Sequence, residues 1–402
     1  MEFDLNFYRG KRVLVTGHTG FKGSWISIWL HELGAEVVGI GLEPYTDKDN
    51  YVLSGIGKKI KADIRADIRD GQKMKEIFAE YQPEIVFHLA AQPLVRLSYE
   101  IPVETYQTNV MGTINIMEAI RATDSVKVGV MITTDKCYDN KEQMRGYKEP
   151  RYTYETNVMG TVNVLECLRQ STSVRSFLNV TTDKVYLNRE WPWGYREDEM
   201  LDGFDPYSNS KSCSELVTHS YKSSFFADGE IAISTARAGN VIGGGDFAND
   251  RIVPDCVRAA IAHQEIIVRN PHSTRPYQHV LEPLFAYLMI CAKQFEDGKY
   301  AGWYNVGPDD QDCFKTGALV DTFVKHWGEG LSWTTPATSE GPHEANFLKL
   351  DCSKIKSIFG WSPRWNLDTA IDKVVEWSKC WQTGGDVNAC MDKQIEDYLN
   401  TL

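Results

Sequence analysis

Four groups of residues have the types and spacing that chemistry or ligand binding requires. Tyr207 and Lys211 stand four apart, and on a helix such residues share one face. An ammonium beside a phenol favours the phenolate and makes it a base for a hydroxyl proton while hydride leaves the same carbon. Taken alone, the pattern also fits a surface Tyr–Lys pair. Thr-Thr-Asp-Lys occurs twice, at Thr133–Lys136 and Thr181–Lys184. An acid next to an amine offers two complementary proton-transfer groups, although an exposed strand end can look the same. Gly17, Gly20 and Gly23 space the run Gly17-His18-Thr19-Gly20-Phe21-Lys22-Gly23. Such a turn lets a pyrophosphate approach the backbone and meet the N–H groups of the helix that follows. The spacing is GxxGxxG rather than the commoner GxGxxG. Last, Arg269, Arg275 and His279 cluster, with Asn240 and Arg251 upstream. Guanidinium groups fit phosphate oxygens in pairs, so the cluster reads as a pocket for a nucleotide diphosphate or, failing that, a solvated basic loop.

These groups need a scaffold that brings them to one crevice. Lys11–Thr16 reads as a buried strand just before the glycine turn, and Ser24–Leu33 as a helix just after it. Gly34–Gly41 and Glu84–Leu89 read as strands, with a helix at Gly71–Tyr81. This alternation predicts an α/β fold around a doubly wound parallel sheet. Its ligand crevice lies beyond the C-terminal strand ends. Glu43 then falls near the ribose hydroxyls of a bound dinucleotide, and Asp67 and Ile68 near its adenine. Ser208–Tyr221 reads as a helix with Tyr207 just at its start and Lys211 in its first turn, followed by a strand at Ile231–Ala236. Beyond Gly239, the segments Trp303–Val306, Phe314–Trp327 and Asp368–Trp381 read as a smaller α+β lobe.

Residues 99–146 and 147–194 are a tandem duplication. TNVMGT stands at Thr108–Thr113 and again, 48 residues on, at Thr156–Thr161. Each copy reads as one helix (Thr105–Ala122; Thr153–Gln170) and one strand (Val126–Thr134; Val174–Thr182). Two copies are too few for a solenoid. A smaller echo, ADIR, fills Ala62–Arg65 and Ala66–Arg69. A second strand in the sheet would shift the Tyr207 helix by about 4.8 Å, and a misplacement of about 1 Å can cost on the order of a hundredfold in rate. The expectation is therefore that one copy's worth of chain stays outside the sheet. The least obstructive choice uses the first helix and the second strand. It favours Thr182, Asp183 and Lys184 over the alternative set Thr134, Asp135 and Lys136.

The net charge of −12 argues against nucleic acid as partner. No apolar run approaches the roughly 20 residues that span a bilayer, and the first residues lack a signal-peptide core. The nine cysteines form no CxxC pair, so neither a metal site nor a disulfide framework is expected. The chain reads as cytoplasmic.

Seven stretches then carry a resemblance: HTGFKGSW (His18–Trp25), HLAAQPLVRLSYE (His88–Glu100), TTDKCYDN (Thr133–Asn140), DPYSNSK (Asp205–Lys211), ARAGNVIGGGD (Ala236–Asp246), RNPHSTRPYQHVLEP (Arg269–Pro283) and LKLDCSK (Leu348–Lys354). Together they resemble the extended short-chain dehydrogenase/reductases that modify nucleotide sugars. Thr-Asp-Lys in place of Thr-Asp-Glu is similar to the 4,6-dehydratases acting on CDP-glucose. The second copy departs from that pattern, reading TTDKVYLN. The resemblance implies a Rossmann-type domain over 1–238 that contains both copies. A lobe over 239–402, interleaved with it, would bind mainly the nucleotide sugar. It implies NAD as a recycled cofactor, held by Gly17, Thr19, Gly20, Phe21, Lys22, Gly23, Asp67, Ile68, Leu89, Ala90, Ala91, Tyr207 and Lys211. The substrate would meet Gln92, Asn240, Arg251, Arg269, Arg275 and His279. Tyr207, supported by Lys211 and Thr182, would take the 4-hydroxyl proton, with Asp183 as the acid and Lys184 as the base of water loss. Lys184 would have to be neutral, through burial or a neighbouring cation. The resemblance also implies a homodimer and a place in dideoxysugar and lipopolysaccharide O-antigen assembly. A nucleotide-sugar 4-epimerase shares the glycine turn and Tyr-Lys pair, and an inactive dinucleotide-binding remnant of the duplication is a third reading.

Overall fold

Short apolar runs bounded by glycine or polar residues form eight parallel strands: β1 (Arg12–Thr16), β2 (Glu36–Gly41), β3 (Ala62–Arg65), β4 (Ile85–His88), β5 (Val128–Ile132), β6 (Ser176–Val180), β7 (Ala232–Ala238) and, later in the chain, β11 (Trp303–Val306). They come from a computed structural model that describes residues 5–92, 100–132, 150–249, 251–336 and 347–402. The order across the sheet is β11-β7-β6-β5-β4-β1-β2-β3. β8 (Asn240–Ile242) pairs with β10 (Tyr277–His279), and β9 (Ile266–Ile267) with β12 (Trp333–Thr334), as small parallel ribbons in the second lobe. Strands buried on both faces read as continuous apolar runs, and β4 and β6 are buried along their whole length.

The order overturns the expectation that one copy stays outside. β5 of the first copy pairs with β4 from Ile85↔Val128 to His88↔Met131, and β6 of the second copy pairs with β5 from Val128↔Ser176 to Ile132↔Val180. Both helices dock as well. The physical reason is burial. Expelling the first copy would uncover Val128, Val130, Met131, Ile116, Met117 and Ile120, all at most 2% exposed. At roughly 1.5–3 kcal/mol per large apolar side chain, about 9–18 kcal/mol would be lost, as much as the whole net stability of a typical domain. Widening a parallel sheet by one complete helix–strand unit leaves no backbone group unpaired.

Trp303–Val306 also departs from its reading as part of the lobe. It pairs with β7 and closes one edge of the main sheet. One face of the sheet is covered by the helices Phe21–Glu32, Leu281–Glu296 and Val387–Leu399. The other carries four helices in a row: Gly71–Tyr81, residues 102–121, residues 150–169 and Pro206–Phe225. The second and third are the two copies. Each contains one π turn over its TNVMG segment, a widening frequent at functional sites. The second lobe has its own core around Val253, Leu319, Phe323 and Ile371.

Candidate active site

The glycine turn leaves β1 at the C-terminal edge of the sheet. Gly17 has φ +74, and a Cβ on it would lie 2.7 Å from the Ala90 nitrogen. A Cβ on Gly23 would lie 2.0 Å from the Gly17 carbonyl oxygen. Gly20 caps the next helix, whose first turn has no side-chain cap and no acidic residue. The open N–H groups and the positive end of the helix dipole suit an anion. Thr19 lies against Gly41 at the end of β2, and Phe21 against Gly243 of the second lobe. Lys22 is half-buried beside them. His18 is fully buried, with Nε2 2.7 Å from Asp63, and Glu43 is 3.2 Å from Arg65 at the same edge. Asp67 pairs with Arg69. Ile68 is buried against Gly112 of the first copy.

Where β4 ends, Thr16 organises the chain. The Leu89 and Ala90 N–H groups each donate to its Oγ1 at 3.2 Å, and that oxygen lies 2.6 Å from His88 Nδ1. Burial lowers the His88 pKa to about 4. Its Nε2 is 2.9 Å from Thr113 Oγ1 of the first copy. Gln92 is buried there: its N–H donates to Asn109 Oδ1 at 2.8 Å, and its Nε2 to Thr105 Oγ1 at 3.2 Å. Ala91 and Ala90 line the adjoining cavity.

The Tyr207 helix begins where local chemistry says it should. Asp205 accepts from the Ser208 N–H at 3.0 Å, and Pro206 opens the first turn. Tyr207 and Lys211, one turn apart, are 6% and 2% exposed. Beside this helix β6 delivers the second Thr-Thr-Asp-Lys. The Thr182 hydroxyl donates to Asp183 Oδ1 at 3.0 Å, and Asp183 is buried with Oδ2 unpartnered. Burial raises the Asp183 carboxyl against the opposing pull of Lys184, Thr182 and Arg275. The Lys184 ammonium stands 5.9 Å from the centre of the Tyr207 ring. Lys184 is exposed. The burial that a neutral amine would need falls on Asp183 instead. Thr134, Asp135 and Lys136 lie outside the described residues.

The anion cluster divides. Arg275 is buried beneath the site, 7% exposed and close enough to act on Asp183. Arg251 is exposed and paired with Asp246 at 2.9 Å, and Arg269 is exposed. Asn240 opens β8 beside Tyr277. His279 is placed in the core rather than the crevice. It is fully buried between Trp25 and Trp365, at ring distances of 5.7 and 4.8 Å. Burial lowers its pKa to about 3.

The sequence model of the family described as GDP-mannose 4,6 dehydratase matches residues 14–145 and again 143–374. The chain belongs to the 4,6-dehydratase family. The two matches meet where one copy of the duplication gives way to the next, so the family pattern is taken up afresh at the second copy. The chain is 42% identical over 99% of its length, and 98% of the relative's, to a CDP-glucose 4,6-dehydratase of Salmonella typhimurium. It is 23% identical over 90% of its length, and 92% of the relative's, to a dTDP-glucose 4,6-dehydratase of Xanthomonas campestris. Among solved structures, a UDP-glucose-4-epimerase of Stenotrophomonas maltophila with bound NAD superposes at TM-score 0.66 and 18% identity, covering 93% of this chain and 100% of that one. A dTDP-glucose 4,6-dehydratase of Bacillus anthracis in complex with NAD gives 0.62 and 16%, covering 95% and 100%. At those identities the likeness is one of fold.

One part of this dehydratase-family site escaped the sequence reading. Glu215 continues the Tyr207–Lys211 ladder by another turn and is fully buried. It accepts from the hydroxyl of Thr181 at the end of β6, from Thr235 at 2.8 Å and from Arg237 at 2.9 Å. Burial alone would raise its carboxyl, but Arg237, His219 and Thr181 outweigh it and hold the pKa at about 2. Glu215 thus ties the Thr-Asp-Lys strand to the Tyr207 helix. The signal was a third residue at the same four-residue spacing.

Proposed function

We propose that the chain dehydrates CDP-glucose to CDP-4-keto-6-deoxyglucose with NAD as a recycled cofactor. The observation that carries this reading is the buried Asp183 carboxyl set beside the Tyr207 helix, with Lys184 over the Tyr207 ring. An epimerase of the same fold has no water to expel and needs no such acid. The 42% identity over the whole chain supports the same substrate.

The cradle fits a dinucleotide: a Cβ at Gly17 or Gly23 would fill the space through which the turn folds back on itself, and the helix beyond offers uncapped N–H groups. Gly17, Thr19, Gly20, Phe21, Lys22 and Gly23 would hold NAD there, with Ala90 and Ala91 alongside. Bound NAD supplies a hydride acceptor for sugar C4 and a hydride donor for C6. The chain does the rest. Tyr207, its phenolate favoured by Lys211, takes the 4-hydroxyl proton, and Thr182 hydrogen-bonds the same oxygen. The resulting ketone acidifies the C5 proton; Lys184, exposed in the open crevice, takes it once bound substrate displaces the water around its amine, and returns it to C5 when hydride reaches C6. Asp183, whose protonated form burial favours, gives its proton to the departing 6-hydroxyl. Arg251 and Arg269, both exposed, would meet the diphosphate with Asn240, while Arg275 stays buried near Asp183.

A cytoplasmic homodimer serving deoxysugar assembly is the setting we propose. Among the described residues no helix is long and apolar enough to cross a membrane. Val103, Met111, Met159 and Leu216 expose apolar surface along the row of helices, at 64, 45, 49 and 50%, as a self-association face would. The test of the chemistry is substrate deuterated at C4. The label should be found at C6 of the product, with no net release of NADH. Label lost to solvent, or a chain that binds neither NAD nor CDP-glucose, would overturn the assignment.

A further inference from the structure

The two copies carry the same residues at four positions that face neighbouring elements, and the structure uses them differently. Asn109 is bonded to Gln92 through both Oδ1 (2.8 Å) and Nδ2 (3.2 Å). Its twin Asn157 turns the other way, donating to Ser210 Oγ at 2.9 Å, while its carbonyl accepts from Ser214 Oγ at 2.7 Å. Thr105 accepts from Gln92; the oxygen of its twin Thr153 is buried without a partner. Thr113 and its twin Thr161 both bond the carbonyl four residues back on their own helix, at 2.9 and 2.7 Å, but Thr113 also meets His88, at 2.9 Å. A Cβ on Gly112 would lie 2.6 Å from Ile68, whereas nothing stands within 4 Å of one on Gly160. A cavity of about 50 Å³ lies between the copies, lined by His88, Asn109, Gly160, Thr161 and Asn179 among others.

The second helix therefore carries sockets for Gln92, His88 and Ile68 that the first helix already fills. The first helix holds the glycine-turn half of the site. The second holds the Tyr207 half. We infer that the tandem unit is a spacer: one helix of this sequence can hold both halves of the active site together, and two in series hold them one strand apart. The family pattern, which restarts at the second copy, requires the unit once. This inference rests on the dehydratase reading. Between β1 and β6 stand β4 and β5, where a single copy would leave one strand. The added separation is about 4.8 Å, while reacting atoms must come within about 3–3.5 Å and an error of about 1 Å can cost a hundredfold. Turnover by the full chain is at least about a hundredfold below that of the same chain with one copy removed.

The experiment deletes residues 99–146, which leaves Thr153, Asn157, Gly160 and Thr161 to meet Gln92, Ile68 and His88. NAD and CDP-glucose binding are measured by calorimetry on both chains, and turnover with C4-deuterated CDP-glucose. The expected result is that both chains bind both ligands and that the deletion accelerates turnover at least about a hundredfold, with label at C6. Equal rates with label at C6 would overturn the spacer and leave the dehydratase reading standing. A folded deletion chain that binds both ligands and, like the full chain, makes no product would overturn the reading and the spacer with it. Should the deletion not fold, the full chain decides. With NAD bound, the nicotinamide reduced on adding CDP-glucose is followed by absorbance. Measurable reduction slower than about 0.1 per second, a hundredfold under the enzymatic median of about 10 per second, supports the spacer; none at all with both ligands bound overturns the dehydratase reading and the spacer with it. Faster reduction overturns the spacer.

Discussion

Gly112 and Gly160 hold equivalent places in the two copies, and alanine at each should have opposite consequences. Both glycines have ordinary helical backbone angles, φ −59 and ψ −43 at Gly112 and φ −57 and ψ −44 at Gly160. Replacing either by alanine gains the same helix-propensity term, about 1 kcal/mol. The surroundings differ. At Gly160 the new methyl enters open space, so the gain survives, and Gly160→Ala should stabilise by about 0.5–1 kcal/mol. At Gly112 the methyl lies 2.6 Å from both Cδ1 and Cγ1 of Ile68, itself 4% exposed. Overpacking of this kind costs about 1–3 kcal/mol. Gly112→Ala should therefore come out about 0–2 kcal/mol less stable than the parent. The common term cancels in the difference between the variants, leaving roughly 1–3 kcal/mol. Urea titrations give it directly from the midpoints, provided the slopes match. Midpoints that move together, by the same amount and in the same direction, would refute the reasoning. They would show that the two glycines have equivalent surroundings and that Ile68 does not crowd Gly112. Exchanged signs would place the second helix, not the first, against the glycine-turn half.

Tyr207→Phe, made in the chain lacking residues 99–146, should lower turnover by at least about 10²-fold while both ligands still bind; turnover within a few-fold of its parent would make Tyr207 and Lys211 a structural pair. Gly17→Val should abolish NAD binding in calorimetry, since its φ of +74 and the Ala90 nitrogen 2.7 Å away exclude a β-branched side chain; unchanged affinity would remove the cofactor from this turn. Asp183→Asn should end turnover and yet raise the melting temperature at pH 7–8. Burial raises the folded carboxyl pKa above its unfolded value, so ionisation costs stability as pH climbs past about 4; melting curves that stay parallel across pH would contradict this. His88 is held neutral, its pKa lowered from 6.5 to about 4 by burial. Stability should therefore fall as pH drops from 6.5 toward 4, because the unfolded chain takes up the proton first. His88→Gln should flatten that limb in pH-dependent melts, and an unaltered slope would show that other groups dominate it.

Much of the fold was legible because local and global preferences agree. The apolar runs that became β1, β2 and β4, the glycines between β1 and its helix, and the capped start of the Tyr207 helix all specify their own conformation within a few residues. The Tyr207–Lys211 spacing is a property of one helix and needs no tertiary knowledge. Where sequence reading went astray, the deciding partner was distant. His279 sits in a stretch rich in cations, but Trp25 and Trp365, far away in sequence, enclose it in the core. Trp303–Val306 reads as a piece of the lobe, yet β7 offers it an open edge. Glu215 looks like an ordinary helix residue until Arg237 and Thr181 arrive from two strands.

The repeated segments separate the two kinds of information most sharply. That residues 99–146 and 147–194 form the same helix–strand unit follows from sequence alone, because each copy carries the same apolar periodicity and the same TNVMGT. The sequence also set the spacing that made the Thr-Thr-Asp-Lys and Tyr-Lys groups candidates for proton transfer. It held nothing to say that ADIR at Ala62–Arg65 becomes β3 while ADIR at Ala66–Arg69 becomes a loop. The first lies alongside Val38–Gly41 and finds a ladder of backbone partners. The second begins where β2 ends, with Ala66 bonded back to Gly41 as the last rung. Nor did it say that both copies enter the sheet. That outcome compares the apolar surface buried by a second helix–strand unit with the cost of moving the halves of a site apart, and folding responds only to the first. Identical residues such as Asn109 and Asn157 then take different work, one at the glycine-turn half and one at the Tyr207 helix, because their neighbours are set by strand order and not by their own sequence.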